Sequence, residues 1–249
     1  MMQLRPEDAI HKSYLNRLLI EIIDEPSLSH ILALKGGTCA SMLGYLDRFS
    51  VDLDFDVLKN TDERIVRKKI HTIVEHLGLT AVAKKIDNAL LFQIRYPAVA
   101  LRRHTVKMSV NTMIIKANQY AVQYFPEIDR LMNSQTIETM FANKLVAATD
   151  RYASHRTIAG RDIYDIHYFF LHGYAYTLSV ITERTGLPVA DYLEKLESFI
   201  KRKVTQTIIN EDLNTLLSND QFRAIRKVIR GETLQFLEKE RMRMTAAEK

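Results

Sequence analysis

Lys35-Gly36-Gly37-Thr38, followed after a short helical stretch by Arg48-Phe49-Ser50-Val51-Asp52-Leu53-Asp54-Phe55-Asp56-Val57, sets the fold of this chain. On a strand, a period of two places Asp52, Asp54 and Asp56 on one face and Val51, Leu53, Phe55 and Val57 on the other. Like charges on one strand face repel and Asp is a poor strand former, so something positive is expected in front of the three carboxylates. Hard oxygen ligands on a rigid strand suit Mg²⁺, which takes one or two carboxylates together with phosphate oxygens and waters. The Gly36-Gly37 turn lets backbone approach a phosphate closely. Each signal alone has an ordinary reading, because Gly-Gly-Thr is a common turn and alternating Asp can guard an exposed edge strand.

Working outward, apolar spacing predicts a helix over Ala9 to Ile23, a buried strand over Ile31 to Leu34 and a helix over Thr38 to Leu46. A charged amphipathic helix over Asp62 to Leu77 follows, then strands over Leu79 to Ile86, Leu90 to Tyr96 and Thr105 to Ile115. Asp87-Asn88 joins the first two of these as a tight hairpin. Ala117 to Ser134 has no clean period and reads as a break. Beyond it the pattern is helical, over Thr136 to Tyr152, Arg161 to Leu171, Tyr174 to Thr185, Val189 to Lys201 and Asp220 to Glu240. The expectation is an α+β protein with two domains, residues 1–130 with a small mixed sheet flanked by helices and residues 131–249 helical.

The composition agrees with a folded protein, with 47% hydrophobic and 26% charged residues in a chain of 249. No apolar run reaches membrane-spanning length, and the N-terminus enters charge at once, so a cytoplasmic protein without a membrane partner is expected. Cys39 is the only cysteine, which excludes an internal disulfide. Lys plus Arg number 35 against 30 Asp plus Glu, a mild excess compatible with a nucleic-acid partner. The excess gathers in Arg95 to Lys107 (with Arg102 and Arg103), in Lys201 to Lys203, in Arg223 to Arg230 and in Arg241 to Arg243. On one helix, Arg223, Arg226, Lys227 and Arg230 would line a single face and favour an anionic partner.

The order Lys35-Gly-Gly-Thr38, helix, Arg48 to Asp56 resembles the first motif of the AbiEii/MenT-like nucleotidyltransferase toxins, members of the DNA polymerase β-like superfamily. Glu138 to Arg151, with Lys144 and Asp150, is similar to the family's helix bearing a lysine. Arg161-Asp162-Ile163-Tyr164-Asp165 is similar to its Arg-Asp-hydrophobic-Tyr-Asp motif.

The resemblance implies a polymerase β-like nucleotidyltransferase domain with the helical domain completing a nucleotide and acceptor cleft. It implies Asp52 and Asp54 as metal ligands for Mg²⁺ or Mn²⁺, and an NTP as substrate. Lys35, Gly36, Gly37, Thr38, Arg48, Ser50 and Asp165 are then expected at the nucleotide, with Lys144 and Asp162 joining Asp52 and Asp54 as catalytic groups. Without the motif, Lys144 would read as a surface lysine and Asp162 and Asp165 as first-turn helix acids, with Arg161 spaced to pair Asp165.

The implied activity is transfer of a nucleoside monophosphate to an acceptor, the tRNA 3′ end first among RNA acceptors, by a toxin with a cognate antitoxin. A protein-modifying nucleotidyltransferase and a non-catalytic nucleotide- or RNA-binding module are the alternatives. The module is motivated by the strand Thr105 to Ile115, which offers Lys107, Ser109 and Asn111 where many polymerase β-like enzymes carry a third carboxylate. Asp56 and Asp162 are the candidates to replace it. Cys39 reads as a packed small hydrophobe, and Tyr164, Tyr168 and Phe169 as core rather than as a stacking platform.

Overall fold

The computed structural model describes residues 6–97 and 104–247. Arg102 and Arg103 of the basic segment lie outside the described residues. The chain forms two compact units, Met1–Ile114 with Tyr120–Thr136, and Ile115–Gln119 with Ile137–Lys249. The first unit runs on past residue 130 to Thr136, because a further strand lies there.

In the first unit the order is α1 (Pro6–Asp24), α2 (Pro26–Ser29), β1 (Leu32–Lys35), α3 (Gly36–Met42), β2 (Asp52–Val57), α4 (Glu63–His76), β3 (Thr80–Ile86), β4 (Ala89–Arg95), β5 (Thr105–Asn111), β6 (Tyr120–Phe125) and β7 (Arg130–Gln135). The seven strands form one mixed sheet in the order β3-β4-β5-β2-β1-β7-β6. β2 runs parallel to β5 and β1 parallel to β7, and the other pairs are antiparallel.

The period-two pattern decides which face is covered. Leu53 and Phe55 of β2 stand in register with Met108 and Val110 of β5, which in turn face Phe92 and Leu90 of β4. All six are buried. α1 and α4 pack on this face through Leu15, Leu18, Val66 and Ile70, also buried. Each such side chain contributes ~1.5–3 kcal/mol relative to exposure. The opposite, open face carries Asp52, Asp54 and Asp56. The Asp62 carboxylate caps α4 by accepting from the Arg64 N–H. Asp87 turns the β3–β4 hairpin with φ of 49°, a conformation Asp tolerates.

The β6–β7 hairpin is the main departure, since it fills the stretch read as a break. These strands bury few apolar side chains, Phe125 and Met132 among them, so apolar alternation is weak. Their inward polar groups satisfy each other instead, Gln123 Nε2 donating to Ser134 Oγ at 2.8 Å. β5 also stops at Asn111, short of the expected Ile115, and residues 115–119 belong to the second unit. There the N–H groups of Lys116 and Ala117 donate to Glu183 at 2.9 and 2.7 Å.

The second unit is helical: α5 (Ile137–His155), α6 (Gly160–Leu171), α7 (Leu178–Thr185), α8 (Val189–Lys203), α9 (Gln206–Leu213), α10 (Asn219–Ile225) and α11 (Ile229–Ala247). Its core includes Phe141 edge-on to Phe169 with ring centroids 5.1 Å apart, and Tyr164 is buried as well. α9 escapes the sequence pattern because its Thr207-Ile208-Ile209 run is β-branched. The single helix expected over Asp220 to Glu240 is broken between Ile225 and Ile229. The four-cation stripe therefore does not form. Arg226 lies over the Phe222 ring at 5.5 Å, and Arg230 Nη2 donates to the Lys201 carbonyl at 2.8 Å. No helix of the described residues is long and apolar enough to cross a membrane.

Cys39 of α3 is fully buried, and burial pushes its thiol up to about 12, partly offset by a hydrogen bond with Ser134. A thiol-specific reagent at mildly alkaline pH should leave the native protein unlabelled and label it fully in denaturant. Rapid labelling of native protein would contradict this packing.

Candidate active site

Register explains the divided fates of the three β2 carboxylates. Asp52, Asp54 and Asp56 face Lys107, Ser109 and Asn111 of β5, and on the other side Lys35 of β1 stands opposite Asp54. Asp56 is 1% exposed and accepts from four side chains. Its Oδ1 takes Lys35 Nζ at 2.5 Å and Asn111 Nδ2 at 3.2 Å, and its Oδ2 takes Tyr120 OH at 3.0 Å and Gln135 Nε2 at 2.7 Å. Both oxygens are thus committed to the fold, and Asp56 is not placed to act as the third carboxylate. Lys35, expected at the nucleotide, is the counter-ion of Asp56.

Asp54 is half-buried, and its Oδ1 accepts from Ser109 Oγ at 2.6 Å. Gly36 sits over the other oxygen with φ of +76°, and a Cβ there would lie 3.0 Å from Asp54 Oδ2. Glycine is required at this position twice over, for the left-handed backbone and for access to the carboxylate. A Cβ on Gly37 would fall 2.6 Å from Arg48 Nη2 and 3.0 Å from Ser50 Oγ. Arg48 is 3% exposed and donates to the Phe49 carbonyl at 3.0 Å, so Arg48 and Ser50 form the floor beneath the turn. Thr38 Oγ1 is buried 2.5 Å from the Asp52 carbonyl and 2.9 Å from Ser50 Oγ. Its hydroxyl pins the start of β2.

This arrangement fits a hard divalent cation. Two half-buried carboxylates project from one strand face, one is fixed by a hydroxyl, and the missing Cβ of Gly36 keeps Asp54 Oδ2 accessible. Among the described residues no group of three or more His, Cys, Asp or Glu could hold a metal. Asp52 and Asp54 would therefore share the ion with substrate phosphates and waters, a mode Mg²⁺ favours.

The second unit holds its own charged cluster. Lys144 Nζ on α5 bridges Asp162 Oδ1 at 3.1 Å and Asp165 Oδ2 at 2.8 Å on α6, and Arg151 Nε lies 3.2 Å from Asp162 Oδ2. Both carboxylates are buried and Lys144 is nearly so. Burial alone would raise Asp162, but Lys144 and Arg151 outweigh it and hold the carboxyl below its ordinary 3.8. Arg151 and Ser109 are partners that residue type alone did not single out. Tyr120 and Gln135 were out of reach without the β6–β7 hairpin.

The family model described as nucleotidyl transferase AbiEii toxin, type IV TA system, matches residues 17–239. No curated protein matches the sequence significantly. Among solved structures, a nucleotidyltransferase candidate from Helicobacter pylori is similar at TM-score 0.60 and 20% identity, over 99% of this chain and all of that one. JHP933 of Helicobacter pylori is similar at TM-score 0.52 and 21% identity, with coverage of 99% and 100%. MenT4, a nucleotidyltransferase toxin of Mycobacterium tuberculosis, is similar at TM-score 0.53 and 16% identity, over 96% of this chain and 89% of its own. At these identities the likeness establishes a shared fold.

Lys144→Met leaves two buried carboxylates with less positive charge and should destabilise the protein by about 3–5 kcal/mol, read as a lowered Tm. Lys144→Arg should recover part of that loss. An unchanged Tm for Lys144→Met would contradict the bridge. Because Asp162 titrates lower folded than unfolded, its stabilisation is present above 3.8 and disappears as pH falls through the folded value. Asp162→Asn should flatten this part of the acid-unfolding profile while lowering stability at neutral pH, and an unaltered profile would show that Asp162 is not so held.

Proposed function

Because the chain belongs to the AbiEii family of nucleotidyltransferase toxins, of the type IV toxin–antitoxin class, we propose that it moves a nucleoside monophosphate from an NTP to the 3′ end of tRNA. An antitoxin is its proposed protein partner. The observation that carries the reading is the pair Asp52 and Asp54, side by side on the open face, one fixed by Ser109 and left accessible by Gly36.

In such a transfer the acceptor hydroxyl attacks the α-phosphorus in line, a new P–O bond forms, and the bond to the bridging oxygen of the β-phosphate breaks to release pyrophosphate. Asp52 and Asp54 would hold Mg²⁺ or Mn²⁺, which when bound supplies positive charge to the phosphates. The backbone of Gly36 and Gly37 is assigned to close approach of the triphosphate. Thr38, Arg48 and Ser50 act beneath it as positioning residues, and Lys35 acts through Asp56. In the second unit both oxygens of buried Asp162 are engaged by Lys144 and Arg151, so Asp162 and Asp165 are assigned to holding Lys144, the candidate for phosphate charge.

One observation favours a second reading, a nucleotide- or RNA-binding module. Opposite Asp52, Asp54 and Asp56, β5 presents Lys107, Ser109 and Asn111 and no carboxylate.

The purified protein, incubated with Mg²⁺, total tRNA and each α-labelled NTP in turn, should label tRNA with one or more NTPs. Asp52→Asn/Asp54→Asn should lower that label by about 100-fold or more. Label on polypeptide would replace tRNA by a protein acceptor. NTP binding without label under any condition would favour the binding module and overturn the catalytic roles of Asp52 and Asp54.

A further inference from the structure

The open face of the first unit's sheet carries a second pattern, on the strands that flank β2 on one side. Register sorts β3, β4 and β5 into a covered face and an open one. Val106, Met108 and Val110 align with Ile94, Phe92 and Leu90 and are buried. Lys85 of β3 aligns with Leu90, on the covered face, and reaches Glu63 of α4 at 2.9 Å. The alternate residues fall on the open face with the β2 carboxylates. They include three exposed cations, Lys84, Arg95 and Lys107, and no acid.

Lys107 stands opposite Asp52, Arg95 is diagonal to Lys107 across the β4–β5 pair, and Lys84 lies one strand further out, opposite Leu91 and four residues along from Arg95, in the row of Ser109 and Asp54. With strands about 4.8 Å apart, the three cations stand about 5, 10 and 14 Å from the β2 strand. An edge position explains a lysine on β3, since charge there discourages strand addition. It does not explain Arg95 or Lys107, because β4 and β5 are paired on both sides. The aliphatic side chain of Val82, 62% exposed, lies in the same cross-strand row as Gln93 and Lys107.

We propose that Lys84, Arg95 and Lys107 form a phosphate track that carries a single-stranded segment of an RNA acceptor across β3, β4 and β5 to Asp52. The proposal rests on the RNA-acceptor reading above and specifies where that acceptor is held. Charge complementarity favours a polyanion: the track is basic, and the only carboxylates on this face of the neighbouring strand are those assigned to the metal and to Lys35. Lysine and arginine meet phosphate without reading a base, so the track positions the acceptor irrespective of its sequence.

The test is Lys84→Gln/Arg95→Gln, which leaves Asp52, Asp54 and Lys107 intact, with Lys85→Gln as a control for loss of charge on the covered face. With total tRNA as the probe, the double variant should raise KM for tRNA about tenfold, with KM for NTP and kcat at saturating tRNA unchanged. Its plot of log affinity against log salt concentration should be shallower by about 1.4, given roughly 0.7 per phosphate contact on a single strand. Lys85→Gln should change neither. If wild type labels tRNA and the double variant matches it in KM and salt slope, the track is wrong while the acceptor reading stands. If wild type labels no RNA, the acceptor reading fails and the track fails with it.

Discussion

The structure turns on placing carboxylates at alternate positions of one central strand, where each repels the next. The first unit resolves this by giving the three acids different surroundings. Asp56 is buried against Lys35 of β1, Asn111 of β5, Tyr120 of β6 and Gln135 of β7. One ion thus ties together strands from both sides of β2. A buried carboxylate with this set of donors is stable only while the set is complete. What remains on the open face is the charge of Asp52 and Asp54, half-buried and aligned. Two carboxylates so placed would suit a hard cation shared with phosphate oxygens and waters.

The second unit handles its buried carboxylates within a single contact. Lys144 reaches across from α5 to Asp162 and Asp165 on α6, and Arg151 reinforces Asp162. The lysine assigned to phosphate charge is therefore also one on which the helical packing depends. A lysine placed between two buried acids has little rotamer freedom left to lose on meeting an anion, as a preorganised site requires. A loss of activity in a Lys144 variant would therefore have to be separated from a loss of folding.

Much of this was legible in the sequence because period and motif agreed. The alternation over Val51 to Val57 gave the correct face for each carboxylate, whereas Gly36-Gly37, read as a close approach to phosphate, lies in the structure against Asp54 and Arg48. The roles within the motif were less legible, because a side chain's partner depends on register. Lys35 and Arg48 are cations beside a presumed phosphate in the sequence, yet one is bound to Asp56 and the other is buried under Gly37. Tyr120 and Gln135 lie in a hairpin whose inward side chains are partly polar, so hydrophobic alternation carried no signal there. The basic run Arg223 to Arg230 misled for the converse reason: its spacing fits a helix, but the chain turns between Ile225 and Ile229.

The division of labour along β2 is tested most directly by comparing Asp54→Asn with Asp56→Asn for thermal unfolding and for nucleotidyl transfer side by side. Asp54→Asn should keep a Tm close to that of the parent and lose transfer. Asp56→Asn should lose about 3–5 kcal/mol of stability through the uncompensated Lys35, read as a lower Tm. If Asp56→Asn unfolds like the parent, or Asp54→Asn transfers nucleotide like the parent, the separation of a structural from a functional carboxylate on this strand is wrong.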